Sequence, residues 1–487
     1  MVDEGPSDGA LLMGLWLQLA WAPLPLASNR WPLLWLLMAG TGLLLLLALW
    51  QWRRHLPLAG QRLWQVRLPL GLLAALVLWQ WLQTVPLPPP VLRALSPQAW
   101  AAHAAAAQAL GQPLQAATLS VEPAITRVQA AWSLCLWTVF ALVVLVLRNR
   151  HRLDRLAFWL VVAALLQALL ALLLWSAQAR YTLLYTELTH HVAQGSFVNR
   201  NHLAGYLVLN LSLGIGLMLA RLGRDGPPHG HGWQARLQAV LRFALSDKMR
   251  LRLMLVVMVM ALVMTRSRMG NSAFFAALLV TGVLALLVTR RSAPQMVALI
   301  ASLVVIDVVV VGTWVGLEQV VQRVQETELL IEQGGTQESV EARQLAARYA
   351  LDLVRDFAWT GSGAGTFYGA YWPYRVPGGS MIDHAHNDYV ELAADLGLPG
   401  LALLGALVLA TAWVCIITLA RRHTAVPRGM AFGVLMAMVA LAIHSTVDFN
   451  LQIPANALLA VVWLAIGWSA WALPSGARDR HRASSGP

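Results

Sequence analysis

DHAHNDYVEL places two imidazoles, His384 and His386, two residues apart, with Asp383 and Asp388 beside them. Three kinds of chemistry suit such a group. Histidines at this spacing can ligate a metal with a carboxylate assisting, although no second cluster of ligands accompanies them. An imidazole titrating near neutrality can instead take a proton from a hydroxyl. The plainer use is a helix cap or hydrogen bonds within a loop. Three arginines call for anion chemistry: Arg200 in FVNRNHLAGYL, and Arg266 and Arg268 in MTRSRMGNS. The guanidinium fork donates two parallel charge-assisted hydrogen bonds to a phosphate, so several forks around one diphosphate would hold it and stabilise it as a leaving group. Asp448, in HSTVDFNLQIPAN, is a carboxylate suited to ordering backbone or arginine. GSGAG at 361–365 follows a helix-like stretch and lacks the Lys-Ser/Thr ending of a phosphate loop, so it reads as a helix stop and turn.

The elements that must carry these residues are membrane helices. Of 487 residues 58% are apolar and only 12% charged, about half the charge of a soluble protein. That composition excludes both a soluble fold and a disordered chain. The apolar residues form blocks long enough to cross a bilayer as helix, at about 11–28, 32–51, 67–86, 129–147, 156–176, 203–221, 251–264, 272–289, 295–314, 399–419, 429–446 and 456–473. The expectation is an all-α polytopic membrane protein of about twelve transmembrane helices. Cys135 and Cys415 lie inside apolar blocks, so neither a disulfide framework nor a zinc site is expected. The net charge of +12 reflects basic residues retained on the cytoplasmic side rather than a nucleic-acid partner.

Arg53, Arg54, Arg148, Arg150, Arg152, Arg155, Arg290, Arg291, Arg421, Arg422 and Arg428 all fall on one set of alternate loops, which places both termini in the cytoplasm. Residues 1–314 then hold nine spans with an outer loop at 87–128, 315–398 form a large outer excursion, 399–473 hold three more spans, and 474–487 are a cytoplasmic tail. The loop at 87–128 opens on PLPPP and contains an Ala-rich run that should be a short helix. In the excursion, LEQVVQRVQETELLIEQ reads as one amphipathic helix, and Leu345, Tyr349, Leu353 and Phe357, four apart, mark the apolar face of a second. The arginines, the histidine pair and Asp448 come from four distant segments, and the span count brings all of them to the outer face. A transporter should instead carry charge near the bilayer midplane, where Asp307 is the single deep acidic residue.

With these residues in place, the chain resembles the O-antigen ligase family of bacterial inner membranes. The most specific resemblance is His386-Asn387 followed after nine residues by Gly397-Leu398-Pro399-Gly400, which looks like the family's His-Asn…Gly-x-x-Gly signature. FVNRNHLAGY and TRSRMG are similar to its two arginine-bearing motifs, and the likeness runs from roughly residue 67 to 470.

The resemblance implies a GT-C-like, inverting, metal-independent glycosyltransferase without a cofactor. It would move a glycan from undecaprenyl diphosphate to a lipid A–core hydroxyl at the periplasmic face. It implies His386 as base, with His384 near enough that either imidazole could act. Arg200 and Arg268 would hold the diphosphate beside Arg266, Asn387 would orient His386, and Arg343 on the second periplasmic helix would reach a phosphate or sugar. The same signature is shared by polysaccharide polymerases, which PLPPP and HSTVDFNLQIPAN also resemble, and by ligases that glycosylate protein hydroxyls.

Overall fold

The computed structural model describes residues 6–114, 116–182, 184, 187–189, 191–221, 246–289, 340–375 and 383–474, with only the backbone path at 340–347. Within these residues the chain is helical. The helices are α1 (Gly9–Trp21), α2 (Trp31–Trp52), α3 (Leu56–Gln65), α4 (Arg67–Leu82), α5 (Pro89–Leu95), α6 (Pro97–Ala109), α7 (Pro123–Val146) and α8 (Arg150–Ser176). They continue with α9 (Arg200–Arg221), α10 (Asp247–Met264), α11 (Arg268–Thr289), α12 (Val340–Asp356), α13 (Phe367–Tyr371), α14 (Asp388–Arg421), α15 (Ala425–His444) and α16 (Pro454–Ala472).

Eight of these are long and apolar enough to cross a membrane, and α3 with α4 makes a ninth candidate bent by 85°. This is a polytopic membrane protein. Two expected spans are present as less apolar or shorter helices, α10 and α1. The expected span at 295–314, with Asp307, and the first amphipathic helix of the excursion lie outside the described residues.

Helix α9 forms the centre of the bundle and is buried on nearly every side. Its small residues permit this. A Cβ on Gly216 would fall 2.3 Å from the Gly429 carbonyl oxygen, and one on Gly433 would fall 2.8 Å from that of Ser212. The α9–α15 crossing is therefore a backbone-to-backbone contact of the kind small residues allow in membranes, where van der Waals packing replaces the hydrophobic drive.

Helix α14 is broken at Gly397, whose φ of 64° suits glycine. A break inside a helix frees carbonyls, and here side chains of α4 and its end take them up. Trp79 donates to the Leu396 oxygen at 2.8 Å, and Gln83 to the oxygens of Asp395 at 2.9 Å and Thr360 at 2.8 Å. The GSGAG turn clasps the same break: Leu398 N donates to Ala358 O at 2.7 Å, and a Cβ on Gly397 would meet Gly361 N at the same separation. Gly361, Gly363 and Gly365 all have positive φ, as a helix stop requires.

A second apolar cluster covers this end of the bundle. It joins the loop around α5 and α6 (Leu92, Ala99, Leu119) to α12 (Leu353, Phe357) and α13 (Phe367, Tyr371), and reaches Ala385 between the two histidines. Leu353 and Phe357 are buried and Asp352 and Arg355 exposed, as the four-residue spacing implies. The loop around α5 and α6 and the segment of α12 and α13 thus form one cap, and that cap supports the histidine loop.

Candidate functional site

The histidine loop is held by the start of α14. Asn387 caps that helix, its amide oxygen accepting from Tyr389 N at 3.0 Å and Val390 N at 3.2 Å, while its amide nitrogen donates to Thr446 O at 3.0 Å. The role expected for Asn387, direct orientation of His386, is thus not what its amide does: it caps a helix and pins the α15–α16 turn, and so acts on the imidazoles only through the backbone. Asp388 strengthens the same tie. Its buried carboxylate accepts from Ser445 Oγ at 2.6 Å and Leu451 N at 3.2 Å, and its own N–H points to the carbonyls of Ser445 and Asp448.

His384 and His386 both lean on Phe449. His384 stacks on the ring at 4.0 Å between centroids and 16° between planes, and His386 meets it edge-on at 5.1 Å. A third imidazole, His202 near the start of α9, meets the same ring edge-on at 4.6 Å. His386 occupies the left-handed region at φ 48°, uncommon for a residue with a side chain and concentrated at functional sites. Both its ring nitrogens are shielded from solvent. His384 is more open, and its Nδ1 lies 2.7 Å from Glu391 Oε1. Burial pushes this imidazole down, but Glu391, with Asp383 and Asp395 farther off, outweighs it and raises His384 above the ordinary histidine value.

Asp448 is buried between His202 Nε2 at 3.4 Å and His444 Nε2 at 3.5 Å. Of the backbone or arginine partners expected for this carboxylate, the backbone one is present, Phe449 N donating to Oδ1 at 2.9 Å, and α9 and α15 add histidines on either side of it. Burial alone would push the Asp448 carboxyl up, yet the two imidazoles hold it well below the usual carboxylate range.

The arginines lie at helix starts. Arg200 is the first residue of α9 and half-buried; Arg268 is the first residue of α11 and exposed. Arg266, also exposed, sits between α10 and α11 at φ 53° in a turn braced by Thr265 and Ser267. These starts adjoin: a Cβ on Gly270 would fall 2.7 Å from that of Ala204, and Ala204 is one turn past Arg200. Because His202 is two residues past Arg200 and touches Phe449, the arginine-bearing end of α9 lies against the histidine loop. Arg343 falls on α12, among the residues described by backbone alone.

The structure therefore gathers the histidine pair and His202 on Phe449 beside Asp448, with Arg200 two residues before His202 and the start of α11 against α9. His202, His444, Phe449 and Glu391 were not singled out by motif. The i, i+4 spacing of His444 and Asp448 across a helix end was a readable signal; Phe449 left none. Among the described residues no group of three or more histidines, cysteines or carboxylates is arranged to hold a metal.

Below the loop, α4, α7, α9, α14, α15 and α16 line a cavity of about 370 Å³. Its wall is mostly leucine, valine and alanine, with Asp388, Tyr389 and Ser445 at its polar end.

Residues 253–405 match the family model described as O-Antigen ligase. A comparison with curated proteins finds no match.

Proposed function

We propose an O-antigen ligase, a reading supported by the match of residues 253–405 to the family model described as O-Antigen ligase. It transfers a glycan from undecaprenyl diphosphate to a hydroxyl of a lipid A–core sugar, at the periplasmic face of the inner membrane. The observation that carries this reading is the junction at Phe449, where the start of α9, bearing Arg200, meets the loop bearing His384 and His386.

Each part has a physical task. Arg200 and Arg268, with Arg266 beside them, stand at two adjacent helix N-termini, where unpaired N–H groups and the helix dipole already favour an anion. A diphosphate placed there gains charge as its bond to the sugar breaks, and preorganised forks stabilise that charge without reorganising. An imidazole of the histidine pair takes the acceptor's proton from the opposite side of the anomeric carbon, which inverts its configuration. The apolar cavity offers room for part of a lipid chain next to the site, with Asp388 and Ser445 marking the level of the polar chemistry. The chemistry needs neither metal nor cofactor.

The test supplies purified protein with an undecaprenyl-diphosphate glycan and lipid A–core together. Glycan on core supports the ligase. A longer glycan still on the lipid diphosphate, with core untouched, replaces it with a polymerase, and transfer to a protein hydroxyl replaces it with a protein-glycosylating ligase. Movement of intact lipid-linked glycan across the bilayer without transfer would make the chain a transporter.

A further inference from the structure

Two membrane helices each bring a hydrogen-bonding side chain into the largely apolar wall of the cavity below the histidine loop: Gln80 on α4 and Trp463 on α16. Gln80 is 3% exposed and Trp463 2%. Gln80 Oε1 and Trp463 Nε1 are shielded from solvent and meet no hydrogen-bond partner among the described residues. Neighbours on the same helix or just past its end behave differently. Gln83 uses both ends of its amide, donating to Thr360 O and Asp395 O and accepting from Ala364 N at 3.1 Å. Trp468 donates to Thr411 Oγ1 at 2.9 Å. A buried group left unpaired costs free energy, and polar side chains at membrane depth are expensive enough to mark function.

We infer that this cavity is a subsite for a hydroxylated acyl chain, read by the Gln80 amide oxygen and the Trp463 indole N–H. The inference rests on the transferase reading and deepens it: the cavity belongs to the acceptor lipid, not to the polyprenyl donor.

The two groups ask for opposite things. Gln80 Oε1 needs a donor, and Trp463 Nε1 needs an acceptor. A polyprenyl chain is pure hydrocarbon and would leave both unpaired. A plain acyl chain brings only its carbonyl, which accepts and cannot serve Gln80. A hydroxyl on the chain donates to Gln80 Oε1, and its lone pairs or the nearby acyl carbonyl accept from Trp463 Nε1. Of the two lipids in the transferase reading, lipid A–core carries hydroxylated acyl chains and undecaprenyl diphosphate does not.

Depth fits the same occupant. Helix α4 runs toward the histidine-loop end of the bundle and carries Gln80 two residues before its last, Leu82. Helix α16 runs away from that end and carries Trp463 nine residues after its first, Pro454, roughly 14 Å at the α-helical rise. Side chains lean toward the N-terminus of their own helix. Gln80 therefore leans deeper and Trp463 leans back toward the loop, so both approach one level below Asp388 and Ser445, the polar end of the cavity. A chain entering beneath a sugar headgroup at that polar end would carry its first hydroxyl to this level.

Equilibrium binding to the full-length protein in detergent tests the assignment with two radiolabelled probes: glucosamine N-acylated with β-hydroxymyristate, and the same amide of plain myristate. Wild type should hold the hydroxylated probe about tenfold more tightly, the worth of one or two hydrogen bonds to buried groups. Gln80→Met and Trp463→Phe remove one polar group each at similar volume. Each should shrink that ratio, and the double variant should bring it near unity. Replacing an unpaired buried group by an apolar one is neutral or stabilising, so the unfolding midpoints should not fall; a fall would mean that the groups are already partnered and would overturn the proposal. Equal binding of the two probes by wild type, or an unchanged ratio in the double variant, also overturns it. Excess undecaprenyl phosphate should leave the hydroxylated probe bound, and full displacement would give the cavity to the polyprenyl chain instead. None of these readings needs turnover. Discrimination between the probes without glycan transfer counts against the transferase reading alone, and transfer without discrimination counts against the subsite alone.

Discussion

Arginines at the two ends of the bundle are used in opposite ways. At one end Arg148 and Arg152, from the α7–α8 turn and α8, converge on one oxygen of Asp8 at 2.8 Å and 2.6 Å, and Asp8 is fully buried. Arg148 also donates to Pro6 O at 2.9 Å and lies over the Trp52 ring. At the other end, one length of α8 away, the buried carboxylates Asp388, Glu391 and Asp448 are taken up by serine, backbone and histidine. Arg268 there is exposed at the start of α11, and Arg266 is exposed in the turn before it. The first end uses its charges to hold the chain together. The second meets its acids with serine, backbone and histidine.

The contrast can be broken or sharpened by mutation, beginning with the largest effect. Asp8→Asn leaves the buried Arg148 and the half-buried Arg152 without their counter-charge, and removing one partner of a buried pair costs about 3–5 kcal/mol. Thermal unfolding in detergent should show a large fall, while the activity of the protein that remains folded should match wild type; a neutral Asp8→Asn would erase the distinction between the ends. Arg268→Ala should do the reverse, lowering transfer by about 10²–10³-fold, as removal of one preorganised donor does, with an unchanged unfolding midpoint. Arg268→Lys should recover only a small part, because an ammonium is a point charge and not a fork. Phe449→Leu keeps the apolar volume but removes the ring on which three imidazoles rest. The aromatic contribution is about 0.5–1.5 kcal/mol beyond area, so kcat should fall several-fold; an unaltered kcat would mean the histidines do not need the ring. The smallest expected effect is none: treatment with a chelator should leave the transfer rate as it was, and loss restored by added metal would return the histidine pair to a ligand role.

The acid-side limb of the rate profile carries its own sign. With an imidazole of the pair as base, which works in its neutral form, the transfer rate measured against pH should fall as pH drops through that imidazole's value; at His384 burial lowers that value and Glu391 more than offsets it, raising it above the ordinary one.

What the sequence determined by itself is what depends on local periodicity and solvent preference. Blocks of apolar residues of bilayer length define helices in any context, because no other open structure satisfies its backbone in hydrocarbon. The α12 face at Leu353 and Phe357, the stop at GSGAG and the arginine-bearing helix starts were legible for the same reason. The motifs also marked His384, His386 and Arg200, all of which meet at Phe449 or adjoin a residue that does.

Only the tertiary structure decided how those residues are partnered. His202 and Asp448 are far apart in the chain, and nothing local says that α9 will carry an imidazole to a carboxylate beyond α15. Asn387 reads as a site residue from its motif, yet its amide is occupied by a helix cap and Thr446. The union of the loop around α5 and α6 with α12 and α13 into one cap, and the six-helix wall of the cavity, likewise depend on packing between distant segments. The physical reason is range: hydrophobic period and helix signals act over a few residues, whereas a buried charge takes its partner from whichever helix packs against it, and that follows from the shape of the whole bundle.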